Sequence, residues 1–267
     1  MAVTLPAARE VSPGVRLHLF QQAPVQALLA GQAPDQWFAD ADKHLKHSGK
    51  VDARLLRDRD GRLWFVKQYT PRGPLHRLLA LCGVHRGVRM LRLSLMLAEL
   101  DVPVPAPAAA VTQRDTGGAR SWFVCQALIP ARNLREAWEE DQWQSLGGVP
   151  AVFAQAATLF ARLHGGGFVH GDMKWPNLML GAGGQLVLTD LDGMSRPRVA
   201  RWPGYGRDLA RFLVSAREFG VPETAIDRLV ADYAGQRGAE VARVWRAITP
   251  SYDKLAARHR QKYGSSL

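Results

Sequence analysis

A chain of 267 residues suits one large domain or two small lobes sharing a cleft, and 47% hydrophobic with 22% charged residues is the balance of a globular protein with material for a core. No run reaches the ~18 apolar residues that span a bilayer, and residues 1–10 lack the basic start and apolar block of a secretory leader, so a cytoplasmic location is expected. The 35 Lys and Arg against 24 Asp and Glu give a formal net charge of +11, which favours an anionic partner: nucleic acid, a membrane surface or a phosphorylated substrate. Cys82 and Cys125 form neither a CxxC pair nor a disulfide framework. Their apolar neighbours predict two small buried hydrophobes in a reducing compartment.

Residues 1–42, rich in Ala, Pro and Gln with a helix-like stretch over 25–30, read as an N-terminal extension. Regular alternation begins near Lys43. Strands are predicted over 44–47 and 51–57 around the turn Ser48-Gly49-Lys50, and over 62–69 after the turn signal Asp58-Arg59-Asp60-Gly61. Helices follow over 75–81 and 86–100, the second with Val88, Leu91 and Leu95 on one stripe. Pro103, Pro105 and Pro107 end it, and strands over 108–113 and 121–128 complete a five-stranded antiparallel meander. Residues 43–128 thus read as one lobe, 129–133 as a hinge and 134–267 as a second, mostly helical lobe. That lobe opens with a core-facing helix over 150–164, stopped by Gly165-Gly166-Gly167. A hairpin over 178–180 and 186–189 comes next, then helices over 206–219 and 222–234 and a helical tail with a basic end. The fold class is α+β.

The segment His170-Gly171-Asp172-Met173-Lys174-Trp175-Pro176-Asn177 carries the chemistry. Phosphoryl transfer to a hydroxyl needs a carboxylate for the acceptor proton, oxygen ligands for magnesium and positive charge near the transferring group. An Asp followed five residues later by an Asn, on a loop between a helix and a hairpin, supplies the first two. Thirteen residues beyond Asn177, Thr189-Asp190-Leu191-Asp192-Gly193 offers a further carboxylate at a strand end. Asp190 and Asp192 would face the same way on a continued strand, and spacing favours Asp190.

On these residues the chain resembles the protein-kinase-like phosphotransferases, and among them the bacterial lipopolysaccharide core kinases that phosphorylate heptose or Kdo. His170, Asp172 and Asn177 match the kinase catalytic-loop pattern, with Gly171 in place of its Arg. The segment Val102-Pro103-Val104-Pro105-Ala106-Pro107 and the sequence Thr189-Asp190-Leu191-Asp192 are similar to the sugar-kinase group. The resemblance implies a two-lobed fold and a kinase using ATP and Mg2+. It implies Asp172 as catalytic base with Lys174 beside the transferred phosphoryl. Lys67, with the turn at Gly49 and Lys50, would meet the nucleotide's phosphates. Asn177 with Asp190 or Asp192 would hold magnesium, and His170 and Asp208 would be structural. The first-lobe helix lacks the Glu that usually pairs the strand lysine; Met90 falls near that position and the nearest acid is Glu99.

Only seventeen residues separate Asp190 from Asp208, too few for a long regulated activation segment. That stretch and the start of the next helix hold Arg196, Arg198, Arg201 and Arg207, suited to an acceptor already carrying phosphate or carboxylate. The expected partner is an anionic glycolipid, lipid A–core, met from the cytoplasm with a peripheral position on the inner leaflet; no nucleic-acid partner is expected. Trp202 and Tyr205 could stack on sugar faces. A small-molecule kinase of the aminoglycoside or choline type shares the loop pattern, but a cationic acceptor fits the charge poorly. A non-catalytic pseudokinase scaffold is a third possibility.

Overall fold

A computed structural model describes residues 3–20, 25, 26, 29, 33–48, 51–71, 73–115, 118–199 and 201–263. The chain divides into two compact units, one of Met1–Ala98 and Val104–Ala127, the other of Glu99–Pro103 and Leu128–Leu267. Among the described residues no helix is long and apolar enough to cross a membrane.

The first unit is built on an antiparallel sheet of seven strands: β1 (Ala8–Ser12), β2 (Val15–Leu19), β3 (Lys43–Ser48), β4 (Val51–Arg57), β5 (Leu63–Tyr69), β6 (Pro107–Asp115) and β7 (Gly118–Gln126). Their order across the sheet is β1-β2-β6-β7-β5-β4-β3. The five-stranded expectation is corrected by two strands drawn from the presumed N-terminal extension. β2 adds to the edge of β6, pairing Leu17 with Val111, and alternation sends Val15 and Leu17 into a core with Trp37, Trp64, Trp122 and Val124. The helix-like stretch predicted over 25–30 falls largely outside the described residues, although Val25 and Leu29 are buried in this core.

Among the described residues the sheet is accompanied by the helices α1 (Pro34–Ala39), α2 (Pro74–Leu81) and α3 (Arg86–Ala98). α3 packs on β6 and β7 through Met90, Leu91, Leu93, Leu95 and Leu97. It approaches so closely that a Cβ on Gly87 would lie 2.6 Å from the Trp122 carbonyl oxygen, and the Gly87 amide donates to Ser121 Oγ at 3.1 Å. Cys125 is buried on β7, which pushes its thiol up to about 12. Cys82 is exposed, against expectation, because its apolar neighbours on α2 themselves face outward.

The second unit holds α4 (Leu134–Glu139), α5 (Gly148–Gly165), the hairpin β8 (Leu178–Leu180) and β9 (Leu186–Leu188), then α6 (Arg201–Glu218), α7 (Glu223–Gln236) and α8 (Val241–Tyr263). α4 begins in a capping box: the Asn133 side chain accepts from the Glu136 amide, and Glu136 accepts from the Asn133 amide, each at 3.0 Å. An aromatic core joins Trp143, Phe153, Trp175 and Phe212, with Trp143 and Trp175 centroids 5.1 Å apart. α6 starts five residues earlier than predicted, since Pro203 sits in its first turn, where a missing amide hydrogen is harmless. Arg201, which the sequence places before this helix, therefore lies on it, as Arg207 does.

Candidate active site

The loop between α5 and β8 is held from beneath by a buried carboxylate. Asp208, fully buried on α6, accepts the His170 amide at 2.6 Å through Oδ2 and the Gly171 amide at 2.8 Å through Oδ1. These two amides point at one side chain because Gly171 takes φ +85°, a left-handed conformation in which an L side chain would be strained. Beneath Asp208 lies His164, the last buried position of α5, with Nε2 3.4 Å from Asp208 Oδ2 and Nδ1 2.9 Å from the Tyr233 hydroxyl. Burial pushes the His164 pKa down, outweighing the hydrogen bond and charge of Asp208, which act upward. Tyr205 stacks on the His164 ring at 4.3 Å and is itself buried, so it is unavailable to a sugar face. Trp202 packs edge-on against Tyr205, beneath the Arg243 guanidinium.

Above this base the Asp172 carboxylate is gripped at both oxygens. Arg211 Nη1 donates to Oδ1 at 2.9 Å, Lys174 Nζ lies 2.9 Å from Oδ2, and Asn177 Nδ2 donates to the Asp172 carbonyl at 2.8 Å and to Oδ2 at 3.2 Å. Partial burial would raise the carboxyl's pKa, but the Lys174 hydrogen bond and charge, the Arg211 charge and the Asn177 hydrogen bond hold it below the usual carboxylate range. Arg211 was not singled out from sequence. It stands one helical turn beyond Asp208 on α6, so the same face that braces the loop also reaches its carboxylate.

The loop is tied to the segment that follows β9. Thr189 donates to the Asn177 carbonyl through its amide at 2.9 Å and its hydroxyl at 3.0 Å. His170 Nε2–H donates to the Thr189 carbonyl at 2.9 Å, and its Nδ1 accepts from the Asp172 amide at 3.4 Å. Asp190 then adopts φ 54°, ψ 57°, left-handed for a non-glycine residue, and opens a single 3-10 turn, Leu191–Gly193, that contains Asp192. Asn177 spends both amide hydrogens on Asp172, which leaves its carbonyl oxygen as a ligand of the kind hard cations take. Among the described residues no three His, Cys, Asp or Glu side chains cluster as a metal site by themselves.

Lys67 lies in the middle of β5, opposite Ala53 and Phe123, with its ammonium 5.8 Å from the Tyr69 ring centroid. α3 carries no Asp or Glu, and Met90 is buried. Gly49 and Lys50 lie outside the described residues. Arg196 and Arg201 converge over the Gly167–Phe168 turn: Arg196 stacks on the Phe168 ring at 5.1 Å, and both guanidiniums line the space beside Gly167. Arg198 and Arg207 are exposed on the same stretch of chain.

The family model "Lipopolysaccharide kinase (Kdo/WaaP) family" matches residues 35–233, a span that includes Lys67, the whole loop, Asp208 and Arg211. No curated protein matches the chain. Among solved structures, the chain is similar to the kinase domain of a Toxoplasma gondii specific rhoptry antigen, at 14% identity over 84% of this chain and 83% of that one, with a TM-score of 0.48.

Proposed function

The chain belongs to the lipopolysaccharide kinase (Kdo/WaaP) family, and from that premise we propose that it phosphorylates a sugar hydroxyl, on heptose or Kdo, of the lipopolysaccharide inner core, using ATP and Mg2+. The observation that carries the proposal is the Asp172 carboxylate, presented on a braced loop and fixed by Asn177, Lys174 and Arg211.

Asp172 accepts the hydrogen bond of the acceptor hydroxyl and aims its oxygen at the phosphorus. Its low basicity is no obstacle, because phosphoryl transfer passes through a loose transition state in which positioning and charge matter more than proton abstraction. Lys174 is half-exposed, so its ammonium can leave Asp172 for the transferring oxygens. Asn177 with Asp190 or Asp192 supplies the amide and carboxylate oxygens that would hold Mg2+, which when bound offsets the charge of the phosphates. Its place thirteen residues beyond Asn177, just past the end of β9, supports Asp190 as the principal carboxylate. Lys67 is assigned to the nucleotide's phosphates. Arg196, Arg198, Arg201 and Arg207 are assigned to the anionic groups of the acceptor, which places the enzyme peripherally on the cytoplasmic face of the inner membrane.

Incubation with Mg2+ and labelled ATP against core oligosaccharide, an aminoglycoside and a generic protein substrate tests the proposal. Label in the oligosaccharide is expected. Label in the aminoglycoside would favour a small-molecule kinase, and label in none would favour a scaffold.

A further inference from the structure

An amphipathic surface helix ordinarily turns its apolar stripe toward the core; α2 does the reverse. Leu75, Leu78 and Leu79 recur at helical spacing, with Cys82 continuing the stripe, and their exposures are 65%, 58% and 40%. The residue buried against the protein is Ala80, on the opposite side of the helix. Leu81, the last residue of the helix, and Val84 in the turn beyond it are also more than half exposed. Five of the nine large hydrophobic residues exposed among the described residues therefore lie within ten positions of one another. A contiguous apolar patch of this kind marks an interaction surface.

The charge along this segment of the chain is one-sided. From Gly61 to Ala98 the sequence contains no Asp or Glu but seven basic residues: Arg62, Lys67, Arg72, Arg77, Arg86, Arg89 and Arg92. Arg77 is exposed on α2 itself, and Arg86 and Arg89 are exposed on the first turn of α3. Outward leucines beside arginines, with no acid in the segment, are the composition of a helix lying in the headgroup region of an anionic bilayer. A second copy of the chain fits poorly, because a two-fold contact through this face would set its arginines against their own copies.

We propose that α2 and the turn after it dock the protein on an anionic lipid surface, with Leu75, Leu78 and Leu79 entering the acyl boundary and Arg77 at the phosphates. At ~1.5 Å per residue the helix is only ~12 Å long, so the contact is shallow and reversible. The proposal gives the membrane position inferred above a location on the chain. It stands on surface chemistry alone, and its vesicle-binding readout needs no nucleotide.

The test is co-sedimentation of the full chain with vesicles containing phosphatidylglycerol, beside vesicles of phosphatidylcholine only. Binding to the anionic vesicles alone is expected, and Leu75→Ser/Leu78→Ser/Leu79→Ser should weaken it on the order of tenfold or more. Arg77→Glu should weaken it less, and 0.5 M salt should shrink the difference between wild type and Arg77→Glu. The triple variant should keep its melting temperature and its transfer to a soluble, deacylated acceptor, which separates failed docking from failed catalysis. Equal vesicle binding by wild type and triple variant would overturn the proposal, as would absence of wild-type binding. A dimer that the triple variant dissolves, seen by sedimentation velocity, would assign the face to a second copy and also overturn it.

Discussion

Asp172 and Asp208 are the same residue type, one on the loop and one bonded to its backbone, yet they stand in opposite surroundings. Asp208 is fully buried and bonded mainly to backbone amides, which cannot move without moving the loop. Asp172 is partly exposed and bonded to side chains, two of them long and cationic, which can be rearranged. A carboxylate satisfied by fixed amides holds a shape, whereas one satisfied by mobile cations can exchange them for a substrate. Substitution at the two sites should therefore separate stability from turnover.

The sharpest break in that comparison is Asp172→Ala. Its kcat should fall by about three orders of magnitude, while the melting temperature and ATP affinity stay close to wild type; steady-state kinetics beside a thermal melt checks this. Asp208→Ala should act on both readouts. It leaves two buried amides without an acceptor, at a cost of about 3 kcal/mol, so urea unfolding should show a lower midpoint together with lost activity. Asp208→Asn, which can still accept, should recover part of each.

Arg211 sharpens the comparison because its helix contacts both aspartates. Arg211→Ala should lower kcat ~10-fold through misplacement of Asp172 and move the acid limb of the kcat profile to higher pH. The sign follows from the lowered Asp172 pKa: the ion pairs are fully present above the ordinary Asp value of 3.8 and are lost as pH falls through the lower folded-state value. Removing one cation brings the two values together. Arg211→Lys should restore much of the profile, whereas a purely packing role would leave the limb unmoved. The smallest effect is expected from Arg198→Ala/Arg201→Ala, which should raise KM for an anionic glycolipid severalfold with little change in KM for ATP.

Much of the fold was legible because its elements carry strong local signals. β4, β5 and β7 alternate or run apolar, and α5 and α7 show the stripe of a core-facing helix. β1 and β2 escaped notice because β1 is almost wholly exposed and β2 has only Val15 and Leu17 to mark its inner face. α4 was missed through its length of six residues, although Asn133 and Glu136 spell its capping box. At the site, the loop residues stood out by type and spacing. Arg211 did not, since its bond to Asp172 spans thirty-nine positions and only its place one turn after Asp208 hinted at it. Cys82 was misjudged because apolar neighbours usually mean burial, and on α2 they do not.

The most direct test of the account is transfer of an isotopically labelled γ-phosphoryl from ATP to purified lipid A–core, followed by mass spectrometry of the released sugars. The account predicts one labelled phosphoryl on a heptose or Kdo residue with the wild-type chain and Mg2+, and none with Asp172→Asn prepared in parallel. An unlabelled glycan with the wild type, or equal labelling by both proteins, would contradict it.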